Sequence, residues 1–538
     1  MADMMGSALS ALTSYQRALA TTSHNIANAN TDGYSRQNVN MAARMATNTA
    51  IGAIGSGVEV TSIRRAYDQF AVDQLRTSTS GLFREQTFAG LATQVESVVS
   101  DPVTGINSAL GRFFNAAQDV ATDPSSLSAR RVLIGEGQAL ATRLNDIDSQ
   151  LEAIDQDVDA RMRASVDEIN EYAKRIAQLN QAIVDAQASM TSGSPNDLMD
   201  ARDQALLGLN ELVKVSTVPQ NDGAVNVFIG SGQSLVLSTT PQKLTITPNA
   251  FNPTKPDISL SNGGVITSTL NGGSLGGLLE FRDEVLTPTR NQVGMIALAV
   301  ATQVNAVQTA GRDLTGAAGV DFFSVPGPQA LPSTLNTGTG SVTASISDLG
   351  KLQPDNYRLI ADGAGGFSLF TEPGGQAVNA ADVGLSISLG GAAAAGDTFM
   401  IRPAGKAASD IRVNLTQSTQ IAAASGSGVF GPGDNSNALA LVGVENSKVL
   451  FNGTVSLAEG VQNLISEVAS QVRSAEIATT AQNQLVEQAM SRRDAVSGVN
   501  LDEEAANLMK YQQAYQAAAQ IASTANTIFQ TIIDTFRR

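Results

Sequence analysis

The sequence predicts a mainly helical protein with β-rich inserted segments, and three observations lead to this fold class. Apolar residues recur at steps of three and four near both ends of the chain and over residues 138–188, as they do in helices. Residues 213–275 and 321–404 instead carry short runs of strand-forming residues broken by Gly, Asn and Pro. Aromatic residues make up only 4% of the chain and Trp is absent, so we expect cores of aliphatic side chains along helical seams.

The first predicted helix runs from about Gly6 to Asn30. Its apolar seam steps by three and four through Leu9, Leu12, Leu19 and Ile26. The turn-forming residues of ANTDGY end this helix. A strand is predicted in GSGVEVTSI (55–63), where apolar and polar residues alternate, and the helical pattern resumes at about Tyr67.

The strongest helical periodicity spans residues 138–188 and predicts a long helical rod of about 70 Å, at about 1.5 Å per residue. Its seam runs through Leu140, Leu144, Ile147, Leu151, Ile154, Val158, Met162, Val166, Ile169, Ala173, Ile176 and Ile183. The spacing of Asp155, Asp157 and Asp159 is similar to that of a calcium loop, but Ala160 stands where such a loop requires Gly. We therefore expect these acids to lie on a solvated helix face.

The middle of the chain alternates between strands and helices. Strands are predicted in AVNVFIG, QSLVLS and KLTITP, within residues 213–275. Helix returns near Leu278, and a second helix start is predicted at Thr287-Pro288, because Pro favours the first helical position. The Gly-, Ser- and Thr-rich residues 321–404 contain further short strands and predict a small β domain inserted between helical segments.

Helix is predicted again over residues 458–496, and a closing helix begins after SGVN. Asn500 and Glu503 fit a capping box, and the acidic run 502–504 stands where the helix dipole favours anions. These elements predict three parts of the chain. They are a terminal part (1–60 plus 498–538), a helical rod part with a β segment at about 213–275 (61–320 plus 405–497), and an outer β-rich part (321–404).

Composition excludes several classes of function. The net charge of −16 and the pI near 4.6 argue against a phosphate-binding surface, and so against nucleic acid as a partner, since such a surface requires clustered Lys and Arg. The absence of Cys and the single histidine, His24, exclude thiolate and multi-histidine metal sites, and we expect His24 to be structural. No enzymatic motif is found and no cofactor is expected. No signal peptide or uninterrupted membrane-spanning run is recognised, so membrane insertion is not expected.

The two chain ends are unusually poor in charge. Residues 4–31 and 505–533 carry one formal charge each, Arg17 and Lys510, although the chain average of 16% charged residues corresponds to about nine over these 57 residues. The last helix has heptad-spaced seams at Leu501, Leu508, Tyr515, Ala522 and Phe529, and at Tyr511, Ala518, Ala525 and Ile532. These Ala-rich seams are thin, so we expect the ends (about 1–60 and 500–538) to be mobile in a monomer and to order when many copies pack together. The alternative is a helix pair docked on its own monomer.

At these ends the sequence resembles the axial proteins of the bacterial flagellum. SHNIANANTDGYSRQ (23–37) is similar to the signature of rod, hook and hook-associated proteins, with His24 where many members have Asn. SGVNLDEEAANLMKYQQAYQAAAQIASTANTIFQTII (497–533) is similar to the matching C-terminal signature. The stretches 164–183, 194–210 and 272–299 narrow the resemblance to the family of the first hook–filament junction. The motif residues are Asn25, Ile26, Asn28, Gly33 and Tyr34.

The resemblance implies a structural, non-enzymatic subunit that joins hook to filament. The terminal helices would pair as a coiled coil around the axis, as an inner tube lining the export channel, with the rod as a middle domain and 321–404 as an outer one. The implied partners are copies of the chain itself, the hook protein, the second junction protein (hook-associated protein 3) and a flagellar export chaperone. The implied location is the extracellular flagellum, reached by type III export without a cleaved signal peptide.

Two further expectations follow. The seam at subunit contacts is expected to consist of Leu9, Leu12, Leu19, Ile26, Leu501, Leu508, Tyr511, Tyr515, Ala518, Ala522, Ala525, Phe529 and Ile532. The amide side chains of Asn25, Asn28, Gln512, Gln516 and Gln520 are expected to face the channel. A competing class is a secreted or surface adhesin, with a helical stalk and the β insert as its head.

Overall fold

The structure, a computed structural model, describes residues 2–49, 52–101, 105–189, 194–261 and 263–536. Long helices dominate it. The helices are α1 (Ala2–Ala27), α2 (Gln69–Val99), α3 (Ile106–Thr122), α4 (Leu127–Ser189), α5 (Asn196–Leu212), α6 (Gly273–Phe281), α7 (Thr287–Ala310), α8 (Ala407–Asp410), α9 (Ser436–Gly443), α10 (Leu457–Ser497) and α11 (Leu501–Phe536).

The strands form small antiparallel sheets. Those before α6 are β1 (Gln37–Ala43), β2 (Thr47–Thr49), β3 (Gly52–Ile54), β4 (Val58–Arg65), β5 (Val215–Pro219), β6 (Val225–Ile229), β7 (Gln233–Leu237), β8 (Thr240–Pro241), β9 (Leu244–Pro248) and β10 (Pro256–Leu260). Strand β1 pairs with β4, β9 with β10, and β5 to β8 form a four-stranded sheet in chain order. The strands within 213–275 were expected from the sequence, and β1 was not.

The strands after α7 lie mostly in the segment that the sequence predicts to be β-rich. They are β11 (Gly311–Arg312), β12 (Phe323–Ser324), β13 (Gln329–Pro332), β14 (Ser341–Ile346), β15 (Asn356–Ala361), β16 (Phe367–Glu372), β17 (Ala377–Val378), β18 (Leu385–Gly390), β19 (Thr398–Arg402), β20 (Arg412–Val413), β21 (Ala424–Ser425), β22 (Lys448–Leu450) and β23 (Val455–Ser456). The largest sheet among the described residues has the order β13-β19-β15-β16-β17, and β14 pairs with β18.

Helix α4 forms the backbone of the core. It has 63 residues and is therefore about 95 Å long, longer than predicted. Its predicted seam is buried apart from Ile154, which is half-buried; Leu144, Ile147 and Leu151, for example, are all 0% exposed. The seam packs against α3, α5, α8 and the edge of the β5–β10 segment, so this helix finds its partners within its own chain.

The expectation of a solvated acidic face on α4 is wrong for two of its three acids. Asp155 and Asp159 are buried and bind Lys255 Nζ at 2.7 and 3.2 Å, and both also pair with Arg282. The physical reason is that cations from the β9–β10 turn and from the end of α6 pack on this face, which helical periodicity does not reveal. Asp157 is exposed, as expected.

Helix α7 begins at Thr287 with Pro288 in its first turn, as predicted, but the N-cap role of Thr287 is wrong. Leu286 and Thr287 already have helical backbone angles, and a π-helical turn (Arg282–Leu286) joins α6 to α7 without a break. A widened turn accommodates the missing N–H and the ring of Pro288 inside a continuous helix. By length and composition alone the stretch Gly273–Ala310 qualifies as a membrane span, but 61% of its most apolar part is buried in the protein, which is typical of a core helix.

The two ends of the chain meet. Helices α1 and α11 lie side by side, with the rings of Tyr15 and Tyr511 6.4 Å apart. Helix α1 also packs on the β1–β4 hairpin, and α2 pairs with α10. The chain therefore leaves the terminal helices through the end of α1 and strands β1 and β4, and it returns to them at the start of α11.

Candidate assembly interface at the chain ends

The signature turn after α1 requires glycine at one position. Gly33 has φ +78°, a left-handed conformation that side chains with a Cβ rarely adopt. A Cβ at this position would also lie only 2.7 Å from Gln204 Oε1 of α5. Gly33 therefore lets the chain reverse closely against α5 before it enters β1.

Asn25 uses its whole hydrogen-bonding capacity inside the chain. Its Nδ2 donates to Gln37 O at 2.9 Å and to Glu504 Oε2 at 3.0 Å. Its Oδ1 accepts from Tyr34 Oη at 2.7 Å and from Gln37 N at 2.9 Å. Because an amide offers two donors and two acceptor positions, this one side chain joins α1, the turn, β1 and α11.

The expectation that Asn25 faces a channel is therefore wrong, since it is only 2% exposed and fully bonded. The other candidate amides are placed differently. Asn28 is half-buried and donates to His24 O at 3.0 Å, whereas Gln512, Gln516 and Gln520 are exposed along α11.

Glu504 is a buried carboxylate at the start of α11, 2% exposed. Arg36 Nε donates to its Oε1 at 2.8 Å, and Arg36 Nη1 donates to Glu503 at 2.7 Å. Asn500 caps the helix as predicted, its Oδ1 accepting from the backbone N–H groups of residues 502 and 503. The capping-box half assigned to Glu503 is wrong, because its carboxylate binds Arg36 instead, and Glu504 is a tertiary contact as well as a helix-start acid.

Helix α5 holds the same turn from the other side. Ser35 N donates to Asp200 Oδ2 at 3.0 Å, and Arg65 Nη1 at the end of β4 donates to Asp200 Oδ1 at 2.8 Å. Burial, followed by the charges of Asp197, Asp200 and Glu504, raises the pKa of Tyr34 well above its usual value, so its hydroxyl stays a donor to Asn25. We call Asn25, Tyr34, Arg36, Asp200 and Glu504 the terminal clasp.

His24 has a structural environment, as the sequence suggests. Its Nε2 lies 3.5 Å from Asp197 Oδ1 and its ring packs edge-on against Tyr34, with centroids 5.5 Å apart. No group of three or more Asp, Glu or His side chains within the described ranges is placed to hold a metal ion.

The candidate seam residues divide into three groups by burial in the single chain. Ala518 and Ala525 of α11 are buried. The half-buried group is Leu12, Leu19, Leu508, Tyr511 and Ala522. The exposed group is Leu9, Ile26, Leu501, Tyr515, Phe529 and Ile532. Within one chain, full burial is therefore limited to two small members of the seam, and the large members stay half-buried or exposed.

The face that α1 buries consists mainly of small residues that the apolar seam did not reveal. It comprises Ala8, Ser10, Ser14, Ala18, Thr21, Thr22 and Asn25. Two of these residues bind β4: Ser14 Oγ donates to Val58 O, and Ser10 Oγ accepts from Val58 N, both at 3.3 Å. The repeat of small residues at steps of three and four is the sequence signal for this face.

Exposed large apolar side chains are concentrated on the two terminal helices. Of 27 such side chains among the described residues, twelve lie on α1 and α11, which is far more than their share of the chain. They are Met4, Met5, Leu9, Ile26, Leu501, Met509, Tyr515, Ile521, Ile528, Phe529, Ile532 and Ile533. Such a concentration of exposed apolar side chains is typical of an interaction site.

Comparison with known proteins places the chain in a family. Residues 92–323 match the model of the flagellar hook-associated protein FlgK helical domain, 491–535 that of the flagellar basal body rod FlgEFG protein C-terminal region, and 5–34 that of the flagella basal body rod protein. Flagellar hook-associated protein 1 of Salmonella typhimurium is 34% identical over 99% of this chain and 100% of its own length. The chain belongs to the flagellar hook-associated protein 1 family.

Other family members support the same assignment. The Escherichia coli K12 protein of that name is 32% identical over 99% of this chain and 100% of its own length. The solved structure of the flagellar hook junction protein FlgK from Burkholderia pseudomallei shares the fold, with a TM-score of 0.72 and 24% identity over 79% of this chain and 100% of that one. Two residues of the terminal clasp, Asn25 and Tyr34, lie in the matched segment 5–34. A third, Glu504, lies in the matched segment 491–535.

Proposed function

We propose that this protein is a structural subunit of the bacterial flagellum that joins hook to filament as an assembled layer around the export channel. Membership of the flagellar hook-associated protein 1 family supports this role. The single observation that carries it is the set of exposed large apolar side chains on α1 and α11. Within these helices, residues 4–27 and 505–533 carry one formal charge each. These exposed side chains provide an apolar surface on which other chains can pack.

Energetics favour contacts between copies over a stable free helix pair. Burying a large apolar side chain contributes about 1.5–3 kcal/mol, and an Ala methyl contributes much less. The pair in one chain buries Ala518 and Ala525 but leaves Phe529 and Ile532 in water. Packing against a neighbouring copy would remove these larger groups from water, so most of the available stabilisation lies between subunits.

The proposed arrangement has three parts. Residues 1–60 with 498–538 form the inner domain, in which α1 and α11 pair as a coiled coil. Residues 61–320 with 405–497 form a helical middle domain, and 321–404 form an outer β-rich domain. The terminal clasp holds the inner domain to α5, and thereby sets the angle at which torque passes from the inner tube to the middle domain.

The exposed amides of α11 suit a channel wall. Gln512, Gln516 and Gln520 are exposed and uncharged, and with Asn28 they would present a neutral polar surface. Unfolded cargo of either charge could slide past such a wall without binding. A structure of the assembled layer with these amides buried in dry subunit contacts would refute this role.

The proposed partners are further copies of this chain, the hook protein on one side, hook-associated protein 3 on the other, and a flagellar export chaperone before assembly. The proposed location is the extracellular flagellum, reached through the type III export apparatus. No chemical step is part of this function, since the work consists of transmitting torque and joining two lattices.

A pair of matched charge insertions tests the function. Phe529→Asp places a charge on the proposed contact face, whereas Val429→Asp places one on a residue that is 99% exposed in a loop elsewhere. We expect Phe529→Asp to abolish filament attachment and swimming while the secreted chain stays folded, and Val429→Asp to leave both intact. Filament attachment at the normal level in the Phe529→Asp strain would contradict the proposal, and intact swimming with loss of surface binding would support the adhesin alternative.

A further inference from the structure

A groove of about 340 Å³ lies between the end of β4, the start of α2, helix α5 and the β5–β6 turn. Four arginines line it, Arg64, Arg65, Arg76 and Arg202, together with one carboxylate, Asp203. This cationic wall stands in a chain whose net charge is −16. The local excess of positive charge therefore runs against the overall charge and needs its own explanation.

Two of the four arginines have carboxylate partners. Arg65 Nη1 binds Asp200 at 2.8 Å and Asp203 at 2.6 Å. Arg76 Nη2 binds the other oxygen of Asp203 at 2.6 Å, and the side chains of both arginines are at most 8% exposed. Arg76 Nη1 also lies 3.4 Å from Asp73. None of these three carboxylates forms an ion pair with Arg64 or Arg202 among the described residues.

Arg202 is a buried cation whose hydrogen-bond partners among the described residues are all neutral. It is 4% exposed, and its Nη1 donates to Asn180 Oδ1 at 3.1 Å and to Gly223 O at 2.7 Å. Its buried Nε has no acceptor. Burial lowers the pKa of Arg202. The charge of Asp203 raises this pKa, and the charges of Arg65 and Arg76 lower it. A guanidinium nevertheless stays charged.

Arg64 also lines this groove. Its side chain is exposed and forms no ion pair within the described ranges, although Arg65 next to it forms two. A buried charge without a counter-charge is costly unless it is paired. The planar fork of arginine fits the oxygens of a carboxylate or a phosphate group, to which it donates in a bidentate manner.

We propose that this groove binds one oxyanion, a carboxylate or phosphate group, between Arg64 and Arg202. The anion would give Arg64 and Arg202 the direct ion pair that the three carboxylates do not give them. Its source is either a free anion or an acidic side chain of a second copy of this chain. The site is formed by a single chain, so the inference does not depend on the proposed assembly and can be tested on the monomer.

Calorimetric titration of the full-length monomer with inorganic phosphate, against sodium chloride at matched ionic strength, tests the site. We expect saturable phosphate binding in the wild-type chain and about tenfold weaker binding in Arg64→Gln, which removes an exposed side chain outside the ion pairs. Arg202→Lys keeps the charge but loses the fork, and we expect it to weaken binding as well. Arg412→Gln, at a side chain that is 76% exposed far along the chain, is the matched control and should bind as the wild type does.

Sedimentation of the concentrated chain separates the two sources of the anion. If a second copy supplies the carboxylate, phosphate and Arg64→Gln both reduce self-association. If the anion is free, self-association is unchanged while phosphate binding persists, and either result supports the site. The proposal is overturned if phosphate gives no saturable heat, or if Arg64→Gln and Arg412→Gln change binding equally.

Discussion

Helices α4 and α11 are both long and both follow an apolar repeat, but they use it in opposite ways. Helix α4 buries large aliphatic side chains such as Leu144 and Ile147 completely within its own chain. Helix α11 buries Ala518 and Ala525, and exposes Phe529 and Ile532. The same kind of pattern thus builds a finished core in one region and an unfinished interface in the other.

The difference shows where each helix finds its stability. The partners of α4 come from several elements of the same chain, so its burial is complete before any assembly. Helix α11 has α1 as its main partner, and that contact is thin and rich in small residues. The terminal clasp fixes the base of the pair, while the rest of the pair depends on other copies.

The largest effect is expected in the finished core. Leu144→Ala removes a side chain that is 0% exposed and should lower the free energy of unfolding by about 2–5 kcal/mol, because it loses apolar burial and leaves a cavity. Urea unfolding of the monomer, followed by circular dichroism, measures this change. Leu127→Ala, at the 47% exposed start of the same helix, is the control, and equal losses in the two variants would contradict the contrast.

The terminal clasp should show an intermediate, local effect. Glu504→Gln removes the charge that Arg36 and Asn25 bind, and should destabilise the base of α11 by about 1–3 kcal/mol. Limited proteolysis of the monomer measures this as faster cleavage within α11, in a region already expected to be cut readily. Glu503→Gln is the matched control, since its side chain is 58% exposed and contacts the same arginine; an equal rate in both variants would show that the buried carboxylate has no special role.

The smallest effect in the monomer is expected on the exposed face of α11. Phe529→Ala, at a side chain that is 53% exposed, should change the free energy of unfolding by less than about 0.5 kcal/mol. Phe113→Ala, at a ring that is 0% exposed, should cost about 3–5 kcal/mol. Urea unfolding of both variants compares them, and a large loss at Phe529 would place its ring in a core of its own monomer.

The sequence predicts regular elements well where their signal is local. The seam of α4, the strands of 213–275 and the closing helix all follow from spacing between near neighbours. The terminal clasp does not, because its bond between Asn25 and Glu504 joins residues 479 positions apart. The ion pairs of Asp155 and Asp159 and the four-arginine groove could not be predicted for the same reason, since their residues meet only after the chain has folded. The unbroken junction between α6 and α7 was not predicted, because the Thr287-Pro288 pattern usually marks the start of a separate helix.

Thiol labelling tests the central claim most directly, because the chain contains no Cys and a single introduced cysteine reports without background. Phe529→Cys and Leu9→Cys place thiols on the exposed faces of α11 and α1, and Val429→Cys serves as a control on a distant loop. In the monomer all three should react rapidly with a maleimide. In assembled flagella we expect Cys substitutions at 529 and 9 to be protected while the one at 429 still reacts, whereas equal reactivity at all three positions would contradict an interface between copies at the chain ends.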